Sequence, residues 1–303
     1  MRIPFNVARA VALGVALLLT MSGGIAAADT LRPFIMATDG SGPLNERLDA
    51  TRAALADAGF EVVGEYSPYA GSHVLAITSD GLKRAAARTD AGAYAAAQRV
   101  GVTATEEGVQ VSYTNPVYMA RAYRLDRDLS DVAARLGAAL GHGGEFGSED
   151  GLSERKLDRY RYMLGMPRFD DPWELAEHDS HQEAVAAVEA GLAAGAGDTT
   201  QVYRIDIPGR SQVLFGVALG AGAGDGGDAH IMERIDFDDL KHTPHLPYEL
   251  LVDGNEIKAL EARFRIAINF PDLSMMGGNS FMAIRSAPGA IEEALQAVAN
   301  YAD

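Results

Sequence analysis

An internal recurrence sets the tightest limit on how this chain can fold. Val109-Gln110-Val111-Ser112-Tyr113-Thr114-Asn115-Pro116 lies over Phe264-Arg265-Ile266-Ala267-Ile268-Asn269-Phe270-Pro271, with alternation and proline in register. Apolar and polar side chains alternating with a period of two mark a strand with one buried face. The spacing therefore predicts an α+β chain of two related domains, arisen by tandem duplication, each a mainly antiparallel sheet packed with helices.

The order of elements around each octapeptide agrees. In the first half, a strand over Pro33–Thr38 leads through Ser41-Gly42-Pro43 to a helix with Leu44, Leu48, Thr51 and Leu55 on one face, stopped by Gly59. Two hairpins follow, Glu61–Ser67 with His73–Ser79 and Val100–Thr105 with Val109–Thr114, separated by an alanine-rich helical stretch over 81–98. A helix over Leu129–Leu140, capped by Asp128, closes this half. In the second half, Tyr160–Met166 reads as a strand, and Ser180-His181-Gln182-Glu183 is a capping box opening a helix that Gly195 ends. Thr200–Ile207 and Ser211–Leu219 form a hairpin, Tyr248–Val252 begins another, Phe264–Phe270 supplies a strand, and Ile291, Leu295 and Val298 mark a closing helix. The glycine-rich stretch His142–Glu154 reads as a linker, giving domains at 29–141 and 155–303.

Residues 1–28 have the three parts of a cleavable secretory signal peptide: Arg2 and Arg9 at the start, an apolar run Ala10–Met21, and Ala26-Ala27-Ala28 before the cut. The run falls short of the ~20 helical residues that span a bilayer, so no stable anchor is expected after cleavage. The mature chain, beginning at Asp29, is expected in the periplasm or secreted. With no cysteine, such a protein must be held by packing alone. Loss of the two leader arginines takes the formal net charge from −16 to −18. So acidic a surface excludes nucleic acid and anionic lipid, and leaves small molecules, cations or proteins as partners.

Leu246-Pro247-Tyr248-Glu249-Leu250-Leu251-Val252-Asp253-Gly254, followed by Ile266-Ala267-Ile268-Asn269-Phe270-Pro271, resembles the domain of unknown function 302 family: a proline-led strand, a turn, and a strand ending near Asn/Asp-Pro. The first half matches through Glu106-Glu107-Gly108 and Tyr113-Thr114-Asn115-Pro116. The resemblance implies helices against a mainly antiparallel sheet, assigns no catalytic residue or general activity, and allows the halves to form an internal pseudo-dimer.

Histidine gives the sharpest chemical expectation. His178 and His181 are three apart, as are His242 and His245, with His230 between the pairs; imidazole is the commonest ligand of zinc and copper, and Asp179, Asp225 and Asp228 stand near to complete a site. Met275-Met276 extends the idea to Cu(I). Gly220–Asp228 lacks the lysine of a phosphate loop and reads as a mobile surface loop able to serve as a lid. There is no G-x-S-x-G elbow, and the adjacent acids Asp170-Asp171 and Asp238-Asp239 read as solvated. The leading expectation is an exported, non-enzymatic ligand-binding or interaction protein with its site in the groove between the halves. The alternatives are a zinc or copper protein using the five histidines, and an enzyme of unrecognised type.

Overall fold

The structure, a computed structural model, describes residues 30–37, 40 and 42–302; the leader over 1–28 and the cut before Asp29 lie outside them. β1 (Thr30–Leu31) and β2 (Phe34–Met36) come first. After them run α1 (Leu44–Asp57), β3 (Glu61–Tyr66), β4 (Ser72–Thr78), α2 (Asp80–Ala86), β5 (Gln98–Thr105), β6 (Gly108–Thr114), α3 (Pro116–Ala122) and α4 (Ser130–Leu140). β7 (Gly144–Phe146), β8 (Leu152–Ser153) and α5 (Glu154–Leu157) lead into the second half. That half consists of β9 (Trp173–Glu177), α6 (His181–Ala193), β10 (Thr199–Asp206), β11 (Gln212–Leu219), α7 (Asp228–Ile235), β12 (Tyr248–Asp253), β13 (Glu256–Ala259), α8 (Ala262–Ala267) and α9 (Ala287–Ala299).

The fold is α+β, and the strand pairings are antiparallel. A six-stranded sheet has the order β3-β4-β5-β6-β2-β7 and a five-stranded sheet the order β10-β11-β12-β13-β9, so matching elements hold matching places. Even the irregularities coincide: register slips between Val62 and Gly64 on β3 and between Gln201 and Tyr203 on β10. Each sheet has a helix pair against it, α1 with α4 and α6 with α9. Leu48, Leu55, Val132 and Leu136 bury the first pair, and Val188, Leu192, Ile291, Leu295 and Val298 the second, each worth about 1.5–3 kcal/mol when fully removed from water.

The opposite faces of the two sheets are where the halves meet. Edge strand β3 lies against its counterpart β10, so closely that a Cβ on Gly64 would come within 1.9 Å of the Val202 carbonyl oxygen. The connector of each half crosses onto the other sheet: the turn Thr243–His245 packs on β5 and β6, and the turn Gly92–Ala95 packs on β11 and β12. Polar side chains stitch this seam. Thr243 Oγ1 is 2.7 Å from both Thr103 Oγ1 and Tyr69 Oη, Gln110 exchanges bonds with the Lys241 backbone (2.6 and 2.8 Å), and Tyr118 Oη donates to the Ile268 carbonyl (2.7 Å).

Several expectations are corrected. Val109–Thr114 is strand, but Phe264–Phe270 belongs to α8 and the turn after it. In the shared topology Asn115 corresponds to Glu261, and both are helix N-caps: Asn115 Oδ1 accepts from the Val117 and Tyr118 amides, and Glu261 Oε2 from those of Arg263 and Phe264. Phe264, Arg265, Ile266 and Ala267 are all buried, so alternation there carries no information about a face. Tyr160–Met166 forms turns instead of a strand, with Tyr160 Oη donating to the Ala267 carbonyl (2.9 Å) and Leu164 left 91% exposed. The alanine-rich stretch divides into α2 and a 3-10 turn, because Ser79 caps the first helix and the chain breaks at Arg88–Ala91. The stretch 142–154 is no bare linker: β7 pairs with β2, and β8 with β1. Residues 221–226 pack against α9, and the Gly222 amide donates to Asp198, so the loop is seated on the second half.

Candidate functional site

The loop after α7 and the loop after β7 face each other across the seam. Asp236 ends α7 and folds the next six residues back onto itself: the His242 amide donates to both of its carboxylate oxygens (3.0 Å each), and His242 Nδ1 lies 2.8 Å from Oδ1. Lys241 Nζ turns into the same loop, donating to the Asp236 and Asp238 carbonyls (3.2 and 2.6 Å). On the other side Arg32 pins the segment after β7. Its Nε and Nη2 donate to the Ser148 and Glu149 carbonyls (2.6 Å each), and its amide donates to Glu145 Oε2 (2.9 Å). Asp272 closes the third side, accepting from Ser148 Oγ (3.1 Å) and the Glu149 amide (2.5 Å).

Between these segments lies a cavity of about 640 Å³. Its apolar wall is Phe146, Ile235, Phe237, Leu240, Phe270 and Leu273; its ionisable lining is Glu145, Glu149, Asp238, Asp239 and Asp272 with His242, and among the described residues no lysine or arginine lines it. The His242 ring is gripped by aromatics, with centroids 5.2 Å from Phe34, 5.5 Å from Phe146 and 4.7 Å from Phe270. Phe237 and Leu240 reach solvent at the lip, 53% and 43% exposed.

The five histidines do not converge, and among the described residues no group of three or more potential ligands is placed to hold a metal. His178 Nε2 lies 3.0 Å from the Ala299 carbonyl oxygen and His181 Nδ1 lies 2.7 Å from that of Gly254, both at the far end of the second sheet. His230 Nε2 is 3.3 Å from Asp225. His245 is buried, with Nδ1 accepting from Arg265 Nη1 (3.1 Å) and Nε2 lying 3.3 Å from Tyr248 Oη. Burial, then the Arg265 and Arg99 charges, push its imidazole well below the usual histidine range, so it is neutral and both nitrogens are engaged. Only His242 lines the cavity. Of the adjacent acids, Asp238 and Asp239 are solvated as expected, but at the mouth of the cavity. Met276 is 72% exposed.

Two further buried polar clusters join the halves. Arg99 Nη1 pairs with Glu249, which also takes Arg265 Nε at 3.3 Å and Tyr203 Oη at 3.2 Å. Burial opposes the Arg99 charge, but Glu249, Tyr123 and Tyr203 together outweigh it and the guanidinium ends above its ordinary value. Tyr66 Oη donates to Asp228 Oδ2 (2.8 Å), while Asp228 Oδ1 is buried without a partner. Burial pushes the Asp228 carboxyl up to about 7, against the lowering by Tyr66 and the Leu219 amide.

No protein-family model, curated protein or solved structure matches the chain. Among the described residues no helix is long and apolar enough to cross a membrane. Sequence reasoning singled out His242 and Asp238-Asp239 but passed over Asp236, Glu145, Glu149 and Asp272. A six-residue Asp-to-His spacing is no recognisable motif, and the two glutamates lay in the stretch read as linker.

Proposed function

We propose that the mature chain is an exported binding protein whose cavity between the loops after β7 and α7 takes a small organic cation with an apolar body. One observation carries the reading: among the described residues five carboxylates, unaccompanied by any lysine or arginine, line a cavity of about 640 Å³ beside an apolar wall. Carboxylates aimed into a partly desolvated space attract a cation more strongly than they would in water, and the aromatic wall accepts its apolar body. Pockets at domain junctions with a few convergent polar groups are the usual form of a small-molecule site. The acidity of the whole chain, −16 formally, draws cations toward it.

Calorimetric titration with 2-phenylethylammonium, 2-phenylethanol and 3-phenylpropionate tests the charge requirement. The ammonium is expected to bind, the alcohol to bind at least ~10-fold more weakly, and the anion not to bind. Equal binding of all three, or binding of none, contradicts the reading.

A further inference from the structure

Resting on that cation-binding reading, we infer that the cavity selects ammonium ligands that keep an N–H, primary through tertiary, over quaternary ones, with His242 as the acceptor. Asp236 Oδ1 lies 2.8 Å from Nδ1, a contact that favours the tautomer with its proton on Nδ1 and a lone pair at Nε2. Asp236 also fixes the ring's backbone through the His242 amide, and the three surrounding phenylalanines hold the ring plane. The Nδ1 edge thus faces Asp236, which does not line the cavity, and the Nε2 edge faces Gly147, which does.

Two facts mark Nε2 as kept for a ligand. The side chain is only 8% exposed, no hydrogen bond to Nε2 is formed among the described residues, and the atom itself is not closed off from solvent. Gly147 sits at φ +96°, where a Cβ would come within 3.3 Å of Nε2 and 2.8 Å of Pro33 Cγ, so glycine leaves this edge uncrowded. An acceptor left without a protein donor at the cavity wall is open to a ligand's N–H, and a charged N–H donor is the strongest match for it.

The carboxylates accept an N–H as well, so the share of His242 is read from its phenylalanine variant, while an aromatic wall alone favours the quaternary cation. A single acceptor nitrogen reverses that order, because it needs just one N–H.

The test is a methylation series of 2-phenylethylammonium, bearing none, one, two or three N-methyl groups, titrated into the full mature chain. Affinity is expected to change by less than ~3-fold over the first two methyls and to fall at least ~10-fold at the third, which removes the last N–H. The ¹⁵N resonance of His242 Nε2 in the wild type is expected to move with the N–H-bearing ligands and not with the quaternary one. In His242→Phe, which keeps an aromatic ring, the step at the third methyl should vanish. An even decline along the series, quaternary binding as tight as primary, or an unmoved Nε2 resonance overturns the assignment while leaving cation binding standing. If no member binds, the cation reading itself fails and this inference with it.

Discussion

Arg99 and Glu249 form an ion pair across the seam between the two sheets, from matching positions on matching strands. Extending the strand registers sets Arg99 opposite Ala76 on β4 and Glu249 opposite Gly216 on β11, each beside the residue that follows a bulge on the edge strand. One position in a shared topology has thus become a cation in one half and an anion in the other, with both side chains almost wholly buried, at 1% and 2% exposure.

Removing one member of this pair is expected to be asymmetric. Glu249→Gln leaves Arg99 and Arg265 buried without their carboxylate and should cost about 3–5 kcal/mol. Arg99→Met leaves Glu249 with Arg265 and Tyr203, and should cost less. Urea denaturation of the two variants checks the order.

Contact between the edge strands is expected to be intolerant of a single methyl. Gly64→Ala places a Cβ 1.9 Å from the Val202 carbonyl oxygen, a clash with backbone that rotamer change cannot relieve. A loss of ~2 kcal/mol or more is expected by thermal or urea melting.

Burial of the Asp228 carboxyl makes stability depend on pH. The folded carboxyl sits at about 7 against an ordinary 3.8, so between those values the folded state holds the proton that the unfolded state has released. Stability therefore falls as pH rises from about 4 to about 7 and levels off above, by a few kcal/mol in total. Asp228→Asn should remove that slope, read as the difference between the two proteins' stabilities across the range.

Asp238 and Asp239 are exposed at the cavity mouth. Replacing both with asparagine should leave the melting temperature within the ordinary scatter of surface substitutions, about 0.5 kcal/mol, and weaken binding of 2-phenylethylammonium several-fold at low salt, less at high salt. Calorimetry at two ionic strengths measures it.

Local signals made most elements of the fold legible. Ser180 caps α6 through the Glu183 amide, the hairpins fall within a residue or two of their expected ends, and Ile291, Leu295 and Val298 are the buried stripe of α9. What was not legible depends on the seam. Arg99, Thr103, Gln110, Ser112 and Thr114 have the pattern of a solvent-facing row, yet all are buried because the second half covers that face. Alternation reports that a strand has two faces, not what lies against the polar one. Likewise α7 went unread because Asp228, its first residue, was taken with the glycine-rich loop before it.

The cavity was legible only in part. His242 and the Asp238-Asp239 pair were noticed. Glu145, Glu149 and Asp272 come from segments remote in sequence that Arg32 and Ser148 draw together, an arrangement that exists only after folding.

Amide and side-chain chemical-shift mapping with 2-phenylethylammonium tests the central claim most directly. Saturable shifts centred on Phe146, Gly147, His242, Phe270 and Asp272 are predicted, absent with 3-phenylpropionate. Shifts confined to surfaces away from these residues, or no saturable shift at all, would contradict cation binding in the cavity between the loops after β7 and α7.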